Sequence, residues 1–228
     1  MDEFFSHFTK LLKEKSGLNA LPLKPARGAD IERVLEHYRY QYHSKVSESI
    51  SETFPVLKEK ISDQWEKLLE TYLHETLESP RSLNFAPMHF FEWLKTRSKL
   101  KTEDLELAAF EIEIDIFPWS HKFVESVSLN DLSEETSFEL NSYKILNYSN
   151  DVYELYHERG SEGAVQLILW QNSEGVFFRK IADWQVHVLK RLSHGIGHAL
   201  KGLEALPPEE IQNFFEWLAS SKLLKHQR

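Results

Sequence analysis

The spacing of apolar residues changes near residue 126, and this change constrains the fold more than any other feature of the sequence. Before it, apolar residues recur every three or four positions, as in helices that bury one face. After it, two apolar runs and a turn between Ala164 and Ile181 predict a β-hairpin, and helical segments follow. We therefore predict an α+β protein. An all-α helical domain (residues 1–125) precedes a smaller α/β domain (residues 126–228), whose hairpin and helix–turn–helix resemble a winged helix.

Capping and turn residues place the helices of the first domain. An amphipathic helix is expected at residues 2–15. Asp30 is the expected N-cap of a long helix that ends or kinks at Pro55, because a residue before proline is pushed out of the helical region. Further helices are expected at residues 62–77 and from Pro87. Apolar residues of the long helix fall at steps of three and four, so we expect one packed face: Ile31, Val34, Leu35, Tyr38, Tyr42, Val46 and Ile50.

The segment from Thr102 to Trp119 fits two structures. Its leucine, alanine and isoleucine residues have helical spacing, whereas residues 110–116 alternate strictly between apolar and acidic side chains, as a half-exposed strand does. We favour a helix, because good helix formers open the segment and helices precede it.

Composition excludes several classes of function. The chain of 228 residues has no cysteine, which excludes disulfides, thiolate metal sites and cysteine nucleophiles. Its net charge of −9 argues against broad non-specific nucleic-acid binding but leaves room for a local basic patch. No apolar run is long enough to span a bilayer, and the acidic N-terminus lacks the basic start of a secretory signal. We therefore expect a cytoplasmic protein with no membrane partner.

Two groups of side chains could suggest metal binding or catalysis. His187, His194 and His198 would share a face of one continuous helix, but the glycines among them favour surface histidines over a metal site. The carboxylates from Glu111 to Asp115 could do acid–base work, but a solvated acidic face is the interpretation we prefer. Catalytic triads and phosphate-binding loops are absent from the sequence, so we expect no catalysis by this chain alone and no cofactor.

The helix–turn–helix segment could bind DNA, with its second helix presenting side chains to base edges. That helix offers His198, Lys201 and Glu204 as long polar side chains, and no arginine occurs from Leu192 through Phe215. Alternatively, the edge of the hairpin could pair with an extended peptide by strand addition, which its apolar character suits better.

The stretch from Tyr38 to Tyr42 is the densest aromatic and basic segment of the chain. Tyr38 and Tyr42 lie on the expected packed face, so we interpret them as core residues, with an interface role as the alternative. Arg39 and Tyr40 lie off that face. They are candidate partner contacts, since arginine and tyrosine are enriched at binding hot spots.

Motifs in both halves of the chain resemble the HvfC/BufC-like family. In the first half they are Tyr38-Arg39 with Tyr42, Phe54-Pro55-Val56-Leu57, Trp65, Tyr72-Leu73, Pro80-Arg81-Ser82, Phe91 with Leu94, and Leu105 to Glu111. In the second half they are Tyr143 to Tyr148, Leu167 to Trp170, Gly195, and Phe214 to Leu223. The resemblance covers nearly the whole chain, and the spacing from Tyr38-Arg39 to Phe54-Pro55 is its most distinctive part.

The resemblance implies a helical N-terminal domain, which the family labels DNA-binding, and a winged-helix-like C-terminal domain. It also implies a non-catalytic accessory role. Members of the family look like partners of TIM-barrel multinuclear-iron enzymes that modify ribosomally made peptides, as in the methanobactin pathway. In that role the chain would bind the leader of a precursor peptide and present it to the iron-dependent enzyme. The alternative is a DNA-binding transcriptional regulator. Candidate contacts to peptide or enzyme are Arg39, Tyr40, Arg81, Glu111, Trp170 and Phe178.

Overall fold

The computed structural model describes residues 30–76, 83–97, 99–120, 138–160 and 162–226. The predicted helix at residues 2–15 and the predicted boundary between residues 125 and 126 lie outside these ranges. Two compact units divide the chain, a first unit of residues 1–108 and a second unit of residues 109–228. The α+β class is confirmed, since helices precede a small antiparallel sheet. Among the described helices, none combines the length and apolar composition that a membrane span requires.

Helices make up the first unit, and their positions agree with the capping and proline signals. Asp30 Oδ1 accepts a hydrogen bond from the Arg33 N–H (3.3 Å), as expected of an N-cap. Phe54 separates the first two helices, and Pro55 begins the second. In chain order the helices are α1 (Ile31–Thr53), α2 (Pro55–Lys60), α3 (Ser62–Glu75), a 3-10 helix (Leu83–Phe85), α4 (Ala86–Arg97) and α5 (Thr102–Ser120), which continues into the second unit. The helical interpretation of Thr102 to Trp119 is therefore confirmed.

Phe90 of α4 lies at the centre of the core of the first unit and is fully buried. Its ring centroid lies 6.0, 5.7, 5.1 and 5.8 Å from those of Phe54, Trp65, Tyr72 and Trp93. Such aromatic pairs contribute about 0.5–1.5 kcal/mol each beyond the area that they bury. Because these rings come from the α1–α2 junction, α3 and α4, Phe90 connects most of the unit through one side chain.

Polar contacts fix the rim of this core. The Trp93 Nε1–H donates to Glu75 Oε2 (2.9 Å), which joins α4 to α3. Lys60 Nζ lies 2.7 Å from Asp104 Oδ1 and 3.0 Å from Glu103 Oε1, which joins α2 to the first turn of α5. Partial burial lowers the pKa of Lys60, but the hydrogen bonds to Asp104 and Glu103 outweigh it and leave the pKa raised.

The predicted packed face of α1 is buried along only part of its length. Val46 and Ile50 are 1% and 0% exposed, but Val34 is 45% and Tyr38 is 49% exposed. The expectation that Tyr38 is a core residue is therefore wrong. The reason is length: α1 has 23 residues, whereas α4, which packs against it, has 12. Apolar spacing shows which face of a helix can pack, but not how far along the helix a neighbour extends.

The second unit contains two small antiparallel sheets and further helices. In chain order its elements are β1 (Phe138–Leu140), β2 (Tyr143–Tyr148), α6 (Val152–Tyr156), β3 (Val165–Asn172), β4 (Gly175–Lys180), α7 (Asp183–Arg191), a 3-10 helix (Leu192–His194), α8 (Ile196–Ala199), α9 (Pro208–Ser220) and β5 (Leu224–His226). One sheet has the order β2-β3-β4, and β1 pairs with β5 in the other. The predicted hairpin is confirmed, with Asn172 opposite Gly175 at its turn.

Helices cover both faces of the β2-β3-β4 sheet. On the first face, Ile168 and Trp170 of β3 join the core formed with α7, α8 and α9. On the opposite face, Leu167 and Leu169 are fully buried, and the cross-strand partner of Leu169, Phe178, packs against Phe110 of α5 with ring centroids 4.8 Å apart. A strand that is buried on both faces needs a continuous apolar run rather than alternation, which explains the sequence of β3.

Truncation of Phe90 tests the core of the first unit. We expect Phe90→Ala to lower the free energy of unfolding by about 3–5 kcal/mol, because it removes a buried ring with several aromatic partners. Urea denaturation followed by circular dichroism measures this change. Phe85→Ala is the matched control, because Phe85 is 51% exposed, and it should cost about 0.5 kcal/mol or less. Similar losses in the two variants would contradict this description of the core.

Candidate functional site

The outer edge of β4 is the candidate site, because no strand of the described residues pairs with it. The Ile181 N–H donates to Gln166 O (3.0 Å), which makes these residues a hydrogen-bonded pair in the register of β3 and β4. Hydrogen-bonded pairs alternate along an antiparallel ladder, so the N–H and C=O groups of Val176, Phe178 and Lys180 point away from β3. Within the described part of the chain, no further strand pairs with β4.

Side chains hold β4 from the face that carries α9. Phe177 stacks on Trp170 of β3, with ring centroids 5.8 Å apart. The Arg179 guanidinium lies 4.3 Å from the ring centroid of Trp217 on α9, a cation–π contact. Burial lowers the pKa of Arg179 from its ordinary value, but arginine keeps its charge in proteins. Side chains therefore anchor the strand on this face, and none of these contacts uses the outward N–H groups of β4.

An aromatic cluster holds β4 from the opposite face. Phe178 has ring-centroid distances of 4.8 Å to Phe110, 5.2 Å to Tyr156, 5.9 Å to Tyr153 and 6.0 Å to His157. Burial raises the pKa of Tyr156, and the negative charge of nearby Glu111 raises it further. Tyr156 is therefore neutral at physiological pH and serves as packing.

Lys180 ends β4 in an ion-pair network with the start of α6. Its Nζ lies 2.7 Å from Asp151 Oδ2 and 2.8 Å from Glu154 Oε1. The hydrogen bond to Asp151, followed by the one to Glu154, raises the pKa of Lys180. The hydrogen bond from Lys180, helped by Arg159, lowers the pKa of Glu154. The network joins the end of the edge strand to α6, and sequence spacing could not reveal it because its members are far apart in the chain.

The structure places the predicted contact residues in different surroundings. Trp170 is 6% exposed, and its Nε1–H donates to Ser221 O (3.2 Å), so its ring belongs to the core. Phe178 lies in the aromatic cluster, with its backbone on the open edge. Tyr40 is 73% exposed on α1. The Arg39 side chain and Arg81 lie outside the described part of the structure. Of the six candidate contact residues, only Phe178 contributes to the outer edge of β4, and it does so through its backbone.

The acidic segment of α5 is not the solvated face that the sequence suggests. Glu111 is 3% exposed. Glu113 Oε2 lies 2.6 Å from Lys144 Nζ of β2. Asp115 is exposed. Helical spacing puts Glu111 and Asp115 one turn apart, but Glu111 is buried and lies near Tyr156 of α6, whose pKa its charge raises. A contact from Glu111 to a partner would require this face to open.

The histidines of the helix–turn–helix region lie on a broken helix. Gly195, with φ at +96°, separates the 3-10 helix from α8, in agreement with the expected turn. The rings of His194 and His198 have centroids 5.4 Å apart. No group of three or more side chains suited to hold a metal ion occurs in the described ranges. The second helix of the motif, α8, has four residues.

No protein-family model matches the chain, and no curated protein matches it at a significant level. The function is therefore inferred from the geometry of the site. The geometry offers an edge strand fixed on both faces and open along its backbone. Such an edge can bind an extended chain through main-chain hydrogen bonds.

Substitution of Lys180 tests the network beside the edge. The lowered pKa of Glu154 means that its ionised form stabilises the fold at pH values above its ordinary pKa. This contribution is lost as the pH falls through the lowered value. We expect Lys180→Gln to raise the pKa of Glu154 towards the ordinary carboxyl value, which NMR titration of the side-chain carboxyl carbon measures. Lys144→Gln, which removes a lysine paired with Glu113 instead, should leave the pKa of Glu154 unchanged. Equal effects of the two substitutions would reject the network.

Proposed function

We propose that this chain is a non-catalytic accessory protein that binds an extended peptide by strand addition at the outer edge of β4. The single observation that carries the proposal is the outward-facing backbone of Val176, Phe178 and Lys180, with which no strand of the described residues pairs, on a strand whose side chains are held on both faces. Of these groups, the Lys180 carbonyl accepts a hydrogen bond from the Arg179 Nε–H (3.2 Å), so the N–H groups and the carbonyls of Val176 and Phe178 are the ones offered to a peptide. A peptide paired with this edge would extend the sheet by one strand. Because β4 is already ordered, binding would require little rearrangement of the protein.

The resemblance to the HvfC/BufC-like family supports an identity for the peptide and for a further partner. In this proposal the peptide is the leader of a ribosomally made precursor, and the chain presents it to a TIM-barrel multinuclear-iron enzyme. The iron and the chemistry belong to that enzyme. The proposal treats the second unit as a winged-helix-like peptide-binding module. The exposed side chain of Tyr40 remains a candidate contact to the enzyme.

Regulation through DNA binding has less support from the geometry. A helix of four residues is about 6 Å long, which is short for a recognition helix in a major groove. The exposed carboxylates of Glu204, Glu209 and Glu210 lie near it in the chain and would repel a phosphate backbone. We therefore keep peptide binding as the proposed function.

Proline at the open edge tests strand addition. We expect Val176→Pro to weaken peptide retention about tenfold, because it removes an outward N–H without removing a ladder hydrogen bond. Affinity-tagged chain is purified from native cells, and mass spectrometry quantifies the retained precursor peptide and iron-dependent enzyme. Binding of the identified peptide is then measured by isothermal titration calorimetry.

Two variants control for the substitution itself. Val176→Thr keeps the N–H and the β-branched shape, so it should bind as the wild type does. Asn147→Pro removes an outward N–H from β2, the opposite edge of the same sheet, and should also leave binding intact. If the wild type retains neither peptide nor iron enzyme, the proposed function fails. If Asn147→Pro abolishes binding while Val176→Pro does not, the assignment to the β4 edge is wrong.

A further inference from the structure

A groove in the second unit lies between α7 and the turn that follows α8, away from the residues of the β4 edge. It encloses a shallow cavity of about 480 Å³. One wall is a single face of α7, and the other is the turn at Lys201 to Leu203. The residues from α7 are Asp183, Trp184, His187 and Arg191, which recur at helical spacing. The proposed strand addition at β4 does not use this cavity.

Two cations line this groove from opposite walls. Arg191 is the last residue of α7, and Lys201 lies in the turn. Among the described residues, neither side chain takes part in an ion pair. Asp183 also lines the groove, but it is eight residues before Arg191, which is about 12 Å along a helix. The Glu204 carboxylate accepts a hydrogen bond from the Gly202 N–H of the turn (3.1 Å), so the two cations are the groups of the lining that can bind an anion.

The pKa of His198, beside the groove, reflects the positive potential of the surrounding groups. Desolvation lowers the pKa of His198, and the charges of Lys201, His194, Arg191 and His187 lower it further. These four groups come from α7, the 3-10 helix and the turn. Side chains from several elements therefore lie close to His198. In a chain with a net charge of −9, such a concentration of positive charge attracts a local anion.

The remaining lining gives the groove an apolar floor. Trp184 is half-buried, and its ring packs edge-to-face on Phe214, with centroids 5.2 Å apart. Leu203, which also lines the cavity, is 8% exposed. A half-buried indole that lines the same cavity as an arginine and a lysine offers a surface for a planar ring, with a site for its charged group elsewhere in the cavity.

We propose that this groove binds a small phosphorylated molecule with a planar ring, such as a nucleoside monophosphate, with the phosphate between Arg191 and Lys201 and the ring against Trp184. The ligand is small because the cavity has a volume of about 480 Å³.

Isothermal titration calorimetry with adenosine monophosphate at low ionic strength tests the site. Inorganic phosphate and adenosine, titrated separately, show which part of the ligand is recognised. We expect the double variant Arg191→Gln, Lys201→Gln to weaken binding of the monophosphate at least about tenfold, because each cation makes a charge-assisted hydrogen bond. Lys190→Gln is the matched control, because Lys190 is exposed on the same helix and does not line the cavity.

The outcomes separate this inference from its alternatives. Weak binding by the double variant with wild-type binding by Lys190→Gln supports the site. No heat change with the wild-type protein, or equal weakening in both variants, overturns it. Tighter binding of a short DNA duplex than of the monophosphate, with the same dependence on Arg191 and Lys201, would also overturn it in favour of a nucleic-acid surface. Circular dichroism of each variant confirms that the fold is intact.

Discussion

The burial of β3 on both faces is the constraint on which the second unit depends. Ile168 and Trp170 pack towards α7 and α9, while Leu167 and Leu169 are buried on the opposite face, where Phe178 packs against Phe110 of α5 and Tyr156 of α6. A sheet covered on both faces presents only its edges to other molecules, so recognition by this sheet must use main-chain groups. The aromatic cluster around Phe178 and the Arg179–Trp217 contact then hold β4 in place, which keeps its outward N–H and C=O groups in a fixed line.

The sequence predicted the elements better than it predicted their surroundings. The N-cap at Asp30, the break at Phe54-Pro55 and the hairpin turn at Asn172 all follow from local chemistry, and the structure confirms them. Tyr38 and Glu111 show the limit. Each lies where helical spacing puts it, but its exposure depends on which other elements pack there: Tyr38 is 49% exposed, whereas Glu111 is 3% exposed. Burial depends on tertiary packing, so the spacing of residues along one helix does not predict it.

The same limit applies to the sites. Local pattern indicated that the hairpin has an edge suited to strand addition, but not which backbone groups face outwards, since that depends on the register of β3 against β4. The groove beside Trp184 was not predicted, because Arg191 and Lys201 belong to different elements and line the same cavity only in the folded unit. An acidic chain can therefore carry an open apolar strand edge and a basic groove in one unit, each suited to a different ligand.

Amide hydrogen exchange along β4 tests the central claim of an open edge most directly. In the free protein, the amides of Phe177 and Arg179 should exchange slowly because they belong to the ladder, and those of Val176, Phe178 and Lys180 should exchange fast. Addition of the precursor peptide should slow exchange at the three outward amides and leave the two ladder amides as they were. Slow exchange at the outward amides in the free protein, or no change when the peptide is bound, would contradict the account.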